Sequence, residues 1–172
     1  MTRAATPKLG AYAALAGVGL IAALVLGRPE PAALAAPFAL LLVVGLSLAE
    51  PPRVGALFEL DAERQVEGEP VEALLELRAE NVVPRLALLF DLPYGLATEA
   101  PNPRLLRLLP GDSPELAYPL RCERWGAYLV GDFLLRVQDR FGLLVFEQKL
   151  ELPQPLKVYP RGDRRPHVRD AG

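Results

Sequence analysis

The strongest constraint on this chain is a pair of uncharged apolar runs at its start, Leu9–Leu26 (LGAYAALAGVGLIAALVL) and Ala32–Ala49 (AALAAPFALLLVVGLSLA). Each holds 18 residues. At a helical rise of ~1.5 Å per residue that is about 27 Å, close to a hydrocarbon layer of ~30 Å. A helix satisfies its own backbone polar groups and can therefore cross lipid without water. Only Gly27, Arg28, Pro29, Glu30 and Pro31 separate the runs. Proline resists helix continuation and disfavours the helical conformation in the residue before it, so the chain should turn back here. Pro37 predicts a kink or a late start for the second helix. Gly10, Gly17 and Gly19 would let the two helices approach closely. Residues 1–49 are thus expected to form a transmembrane hairpin, spanning at 9–26 and 32–49, with the lipid bilayer as its first partner.

A cleaved secretory signal is the rival reading. Arg3 and Lys8 resemble its basic start, and Ala33-Leu34-Ala35 its cleavage site. Signal cores run to about 7–15 residues, however, and here a second membrane-length run follows the would-be cleavage site. Arg3, Lys8 and Arg53 flank the hairpin base, whereas the turn carries only Arg28. Positive charge stays in the cytoplasm, so both termini and the C-terminal domain are expected there, in a multi-pass protein of the cell membrane.

Three basic residues and one acidic residue lie in the hairpin, out of totals of 19 and 21, which leaves 16 basic against 20 acidic beyond it. That mild acidity argues against nucleic acid as a partner and against a polybasic membrane-surface patch. The single cysteine, Cys122, makes no internal disulfide. This agrees with a reducing compartment.

Residues 50–160 read as short strands. Val71, Ala73, Leu75, Leu77 and Ala79 alternate with Glu72, Leu74, Glu76, Arg78 and Glu80. A period of two with charges on one face describes a half-buried strand, although the Leu, Glu and Ala content would also suit a helix. Val54–Leu60, Arg85–Asp91, Arg104–Leu109 and Glu115–Arg121 follow the same logic. Ala127–Asp139 reads as one bent strand or two, broken at Gly131-Asp132. Leu143–Leu152 and Leu156–Tyr159 complete the set. Turn signals separate the runs: Glu67-Gly68-Glu69-Pro70, Asn81, Pro93-Tyr94-Gly95, Pro110-Gly111-Asp112-Ser113, Trp125-Gly126 and Phe141-Gly142. About seven strands at this spacing predict an immunoglobulin-like antiparallel β-sandwich. The full expectation is a membrane-anchored, mainly β protein ending in a polar, flexible tail over 161–172.

Little in the sequence carries chemistry. One Cys and one His (His167, in the tail) give no metal cluster, and no Ser-His-acid set or phosphate loop is evident. No catalytic residue, cofactor or metal is therefore expected. In Asp139-Arg140-Phe141-Gly142, a turn is the simpler reading: Asp139 bonds turn amides, Gly142 takes a positive φ and Phe141 packs inward. Arg161-Gly162-Asp163 matches an adhesion tripeptide that recurs by chance. Cys122 continues the inward series Leu116, Tyr118, Leu120 and should be buried and inert. Trp125, at a turn, suits either a cap on the sandwich or a partner anchor.

The order of these features resembles the N-terminal half of the domain-of-unknown-function family 58. Arg124, Gly126 and Tyr128 match that family's Arg-Arg-Gly-x-Tyr turn, with Trp125 in place of the second arginine. Asp139, Phe141, Gly142 and Leu143 match its Asp-Pro-Phe-Gly-Leu turn, with Arg140 in place of proline. Val158, Tyr159 and Pro160 match its Val-Tyr-Pro exit. Members usually continue into a von Willebrand A-like domain, whereas here a polar tail follows Pro160; a short member, a split partner and a truncated product all stay open. The resemblance implies a non-enzymatic assembly role linked to a MoxR-type AAA+ ATPase, or a partnership with a separate von Willebrand A-like protein. The alternative is an extracytoplasmic, membrane-tethered binding or adhesion module.

Overall fold

The computed structural model describes residues 1–161. His167, Asp163 and the rest of residues 162–172 of the polar tail lie outside the described residues. Two apolar helices, α1 (Pro7–Leu26) and α2 (Glu30–Ser47), stand near the N-terminus. They begin two residues earlier than the apolar runs suggest because proline is well tolerated in a first helical turn, where its missing N–H has no partner to lose. Pro37 lies inside α2 rather than at its start. Of the three glycines in α1, only Gly19 packs, against Ala35 and the Pro31 carbonyl; Gly10 and Gly17 face open space. The helices have mean hydropathies of 2.2 and 1.7, yet only 6% and 11% of their residues are buried.

The remainder is mainly antiparallel β in two sheets. The strands are β1 (Thr2–Ala5), β2 (Val54–Leu60), β3 (Arg64–Val66), β4 (Pro70–Ala79), β5 (Val83–Asp91), β6 (Leu96–Thr98), β7 (Arg104–Leu108), β8 (Glu115–Cys122), β9 (Gly126–Gln138) and β10 (Leu144–Tyr159). One sheet has the order β1-β10-β9-β5-β7, with β3 added in parallel beside β10; the other is β2-β4-β8-β6. In β4 the alternation decides the outcome over the helix-friendly composition: Val71, Ala73, Leu75, Leu77 and Ala79 are all buried. Inward residues of both sheets meet in one core. At its centre Phe90 and Phe133, opposite each other on β5 and β9, stack with centroids 4.4 Å apart. Phe58 and Tyr118 from the facing sheet approach them edge-on.

Several boundaries differ from expectation. β9 is one strand through Gly131-Asp132, the first of the two alternatives, and β10 is one strand through Pro153 and Pro155, where Leu143–Leu152 and Leu156–Tyr159 read as two. The two irregularities face each other. Gly131 has φ +130°, and an added Cβ there would meet the Leu152 carbonyl. The β9–β10 register shifts between Glu151 and Gln154. A bulge thus absorbs both the glycine and Pro153 without ending either strand. β1, β3 and β6 were not anticipated; with three or four residues each they carry no legible period.

The hairpin base is fastened to the β body. β1 pairs with β10, Ala5 opposite Leu144. The Thr6 amide donates to the Leu143 carbonyl at 2.9 Å, and its hydroxyl to the Gly142 carbonyl at 2.7 Å. Leu9, Tyr12, Leu41 and Leu42 pack on the core. Beyond α2, the Asn81 side chain holds the Arg53 amide and the Pro51 carbonyl at 2.9 and 3.0 Å.

Candidate functional site

The sequence-derived turn residues separate into two groups at opposite ends of the β body. Arg124, Trp125, Gly126, Tyr128, Tyr159 and Pro160 lie where β9 begins and β10 ends; Asp139, Phe141 and Gly142 lie where β9 ends, beside the helices. The 13 residues of β9 separate them, roughly 40 Å at ~3.3 Å per residue.

The helix-side group is structural. Asp139 is buried; its carboxylate accepts the Leu144 amide at 2.7 Å and the Phe141 amide at 3.1 Å. Gly142 adopts φ +70°, so the turn closes without a strained side chain. Phe141 is thereby aimed at α2, where Gly45 faces both Phe141 and Leu143.

The far group builds an exposed aromatic surface on a rigid support. The Tyr128 hydroxyl reaches back to donate to the Arg124 carbonyl at 2.9 Å. Two glycines clear the space for its ring: an added Cβ would come within 2.5 Å of the hydroxyl at Gly95 and 3.4 Å at Gly126. The Gly95 carbonyl accepts the amides of Glu123 and Arg124 at 2.9 and 3.3 Å, which ties the Pro93–Gly95 turn to the β8–β9 turn. The Arg124 guanidinium then lies 4.7 Å from the Tyr94 ring centroid. Tyr94 and Trp125 are 80% and 66% exposed, so Trp125 does not serve as a buried cap. Tyr159 is half exposed on the same end, and its carbonyl accepts the Glu67 amide at 2.9 Å. Sequence reading treats Tyr94 and Gly95 only as a turn; an aromatic held between Pro93 and a positive-φ glycine is the signal that marks them.

Other reactive groups are withdrawn or solvated. Cys122 is fully buried, and burial first, then the Glu69 charge, pushes its thiol pKa up. Tyr118 is buried with its hydroxyl unpartnered among the described residues; burial raises its pKa, against the lowering effect of Arg104, which stacks 4.5 Å from its ring centroid. Asp91 and Asp132 sit opposite each other on the outer face of the β5–β9 pair. Lys149 bridges Glu151 at 3.1 Å and Asp132 at 3.7 Å, and the hydrogen bond to Glu151 leads in raising its pKa. Among the described residues no three His, Cys, Asp or Glu side chains converge as metal ligands. Neither protein-family models nor curated proteins give a match to this chain.

Proposed function

We propose that the chain is a membrane-anchored, non-enzymatic interaction module whose β body presents the Tyr94–Arg124–Trp125 end to a protein partner. The carrying observation is the exposure of two large aromatics and an arginine on the end away from the helices. Trp, Tyr and Arg dominate the energetics of protein interfaces, and rigid support lowers the entropy lost when they are covered.

The bilayer reading is supported by two helices of membrane length of which only 6% and 11% of residues are buried. Pairing of β1 with β10 keeps both ends of the hairpin on one side, as a membrane hairpin requires. The Lys and Arg bias favours the cytoplasm for that side. An immunoglobulin-like sandwich is supported by strand order: β2-β4-β8 and β10-β9-β5 follow the A-B-E and G-F-C orders of that fold. The Tyr128–Arg124 hydrogen bond at the β8–β9 corner is the counterpart of its tyrosine corner. That same corner holds the Arg-x-Gly-x-Tyr residues behind the family 58 resemblance. The resemblance in turn makes a MoxR-type ATPase, or a separate von Willebrand A-like protein, the partner of choice. A hairpin anchor would raise the local concentration of the module for partners at the same membrane.

The test is co-purification in mild detergent of the full chain with a co-expressed MoxR-type ATPase and, separately, a von Willebrand A-like protein. Retention of one of them, lost in a Tyr94→Ala/Trp125→Ala variant that still sediments with membranes, supports the proposal. Undiminished retention by the variant overturns the assigned surface. Release of the full chain from membranes by alkaline carbonate overturns the anchor. A reporter fused after Gly172 reads the side of the membrane.

A further inference from the structure

Charge on the outer face of the β10-β9-β5-β7 sheet is grouped by row. Register places Val145, Gln138 and Arg85 in the row nearest the helices, then Glu147, Arg136 and Ala87, then Lys149, Leu134 and Leu89, then Glu151, Asp132 and Asp91. The fourth of these rows is wholly acidic, with Lys149 in the row before it; past the bulge β9 and β10 run on through Leu129 opposite Pro155 and Ala127 opposite Lys157, and Lys157 pairs with Arg64 of β3. The helix end is basic. There Lys8, Arg85, Arg107 and Arg136 line one groove of about 880 Å³, and no carboxylate lines it. Arg136 leans on Glu147 at 3.4 Å. Lys8, Arg85 and Arg107 make no ion pair among the described residues. Lys8 is the second residue of α1, and its ammonium lies 3.8 Å from where a Cβ on Gly142 would be. The groove therefore opens beside the point where the chain enters its first apolar helix.

We infer that this groove takes the phosphate headgroup of an anionic phospholipid in the leaflet next to the β body. The inference rests on the bilayer reading above. Four long cations around an open groove match a phosphodiester, which offers several acceptor oxygens to guanidinium donors. Position selects the source. Lipid phosphates lie where the apolar part of a spanning helix ends, which is where Lys8 stands. A negative membrane surface attracts cations within about a Debye length. Headgroup binding in the groove would help set the tilt of the β body, groove toward the lipid and aromatic end out. The mean charge of the chain conceals this because the four cations are far apart in sequence.

The full chain would be reconstituted into phosphatidylcholine vesicles and into equal mixtures of phosphatidylcholine and phosphatidylglycerol. Spin-labelled forms of both lipids report which one associates with the protein. The wild type is expected to prefer labelled phosphatidylglycerol by about five- to tenfold, in line with a few screened cation contacts. Arg85→Gln/Arg107→Gln/Arg136→Gln should bring the preference close to parity. Arg107→Gln alone, which removes an exposed and unpaired cation, should reduce it partway without disturbing the fold. Equal association of the two labels with wild-type protein, or a preference that survives in the triple variant, overturns the inference while leaving the anchor intact. Abolition of the preference by millimolar inorganic phosphate, with lipid charge held constant, assigns the groove to a free anion and overturns the lipid. Failure to incorporate into either vesicle overturns the bilayer reading itself and this inference with it.

Discussion

Asp139→Ala should be among the most damaging single changes to a charged residue of this protein. Its carboxylate accepts two backbone amides, Leu144 in a buried setting and Phe141 in a half-buried one. Alanine orphans both. A buried donor left without a partner costs about 1–3 kcal/mol, and hydrogen bonds to charged groups lie in the upper part of that range. The Leu144 amide, shut from water, is assigned about 2 kcal/mol, and the Phe141 amide, which water can reach, about 1 kcal/mol. Relief of carboxylate desolvation returns part of this, so the net loss is about 2–3 kcal/mol. Asp139→Asn keeps one acceptor oxygen for Leu144 but turns an amide group toward the Phe141 N–H, for a loss of about 1 kcal/mol. For a chain of this size each kcal/mol lowers Tm by roughly 2–4 °C. The Ala variant should then melt about 5–10 °C below wild type by far-ultraviolet circular dichroism in detergent, with Asn between them. Cleavage by protease at the β9–β10 turn should rise in the same order, because Phe141 loses its hold on α2. An Ala variant that melts with wild type, or an Asn variant less stable than Ala, would refute the bonding scheme.

Gly131→Ala should cost about 3 kcal/mol or more, since the new Cβ meets the Leu152 carbonyl at a φ that side chains avoid; a urea midpoint that does not move contradicts this. The Cys122 thiol should ignore an aromatic disulfide reagent in the folded protein and react fully after denaturation; rapid native reaction would show that it is not enclosed. Stability should fall as pH rises beyond the ordinary thiol range and again beyond the ordinary phenol range. Burial raises both Cys122 and Tyr118, so the native state keeps protons that the unfolded chain releases, and stability declines where the folded state binds more protons. Cys122→Ala and Tyr118→Phe should each flatten their part of that profile in denaturant titrations, and an unchanged slope in both would refute the assignment.

Which parts of this architecture can be read from the chain follows from the range of the forces involved. β4 is legible because one strand exposes five charged or part-exposed positions between five apolar ones, a pattern no helix would bury. The turn at Asp139–Gly142 is legible because a short acceptor and a positive-φ residue act within five positions. β9 is ambiguous and β10 misleads, since Gly131 and Pro153 each signal a break and only their pairing across the bulge converts two breaks into one bend. β1 is invisible: Thr2–Ala5 has no pattern of its own, and its partner lies about 140 residues downstream. The aromatic end is half legible, with Trp125 marked by the sequence and Tyr94 brought to it only by the Gly95 carbonyl. The basic groove cannot be read locally at all, because Lys8, Arg85, Arg107 and Arg136 become neighbours through sheet order alone.

The pairing of β1 with β10 changes what the helices are to the rest of the molecule. They are not a leash tied in front of a finished body but an insertion between its first and second strands. The β1–β10 seam joins residues about 140 positions apart, so it forms only after synthesis has reached β10. Any sideways pull on the helices is therefore shared by two strands rather than one linker, which couples the orientation of the helices to that of the β body.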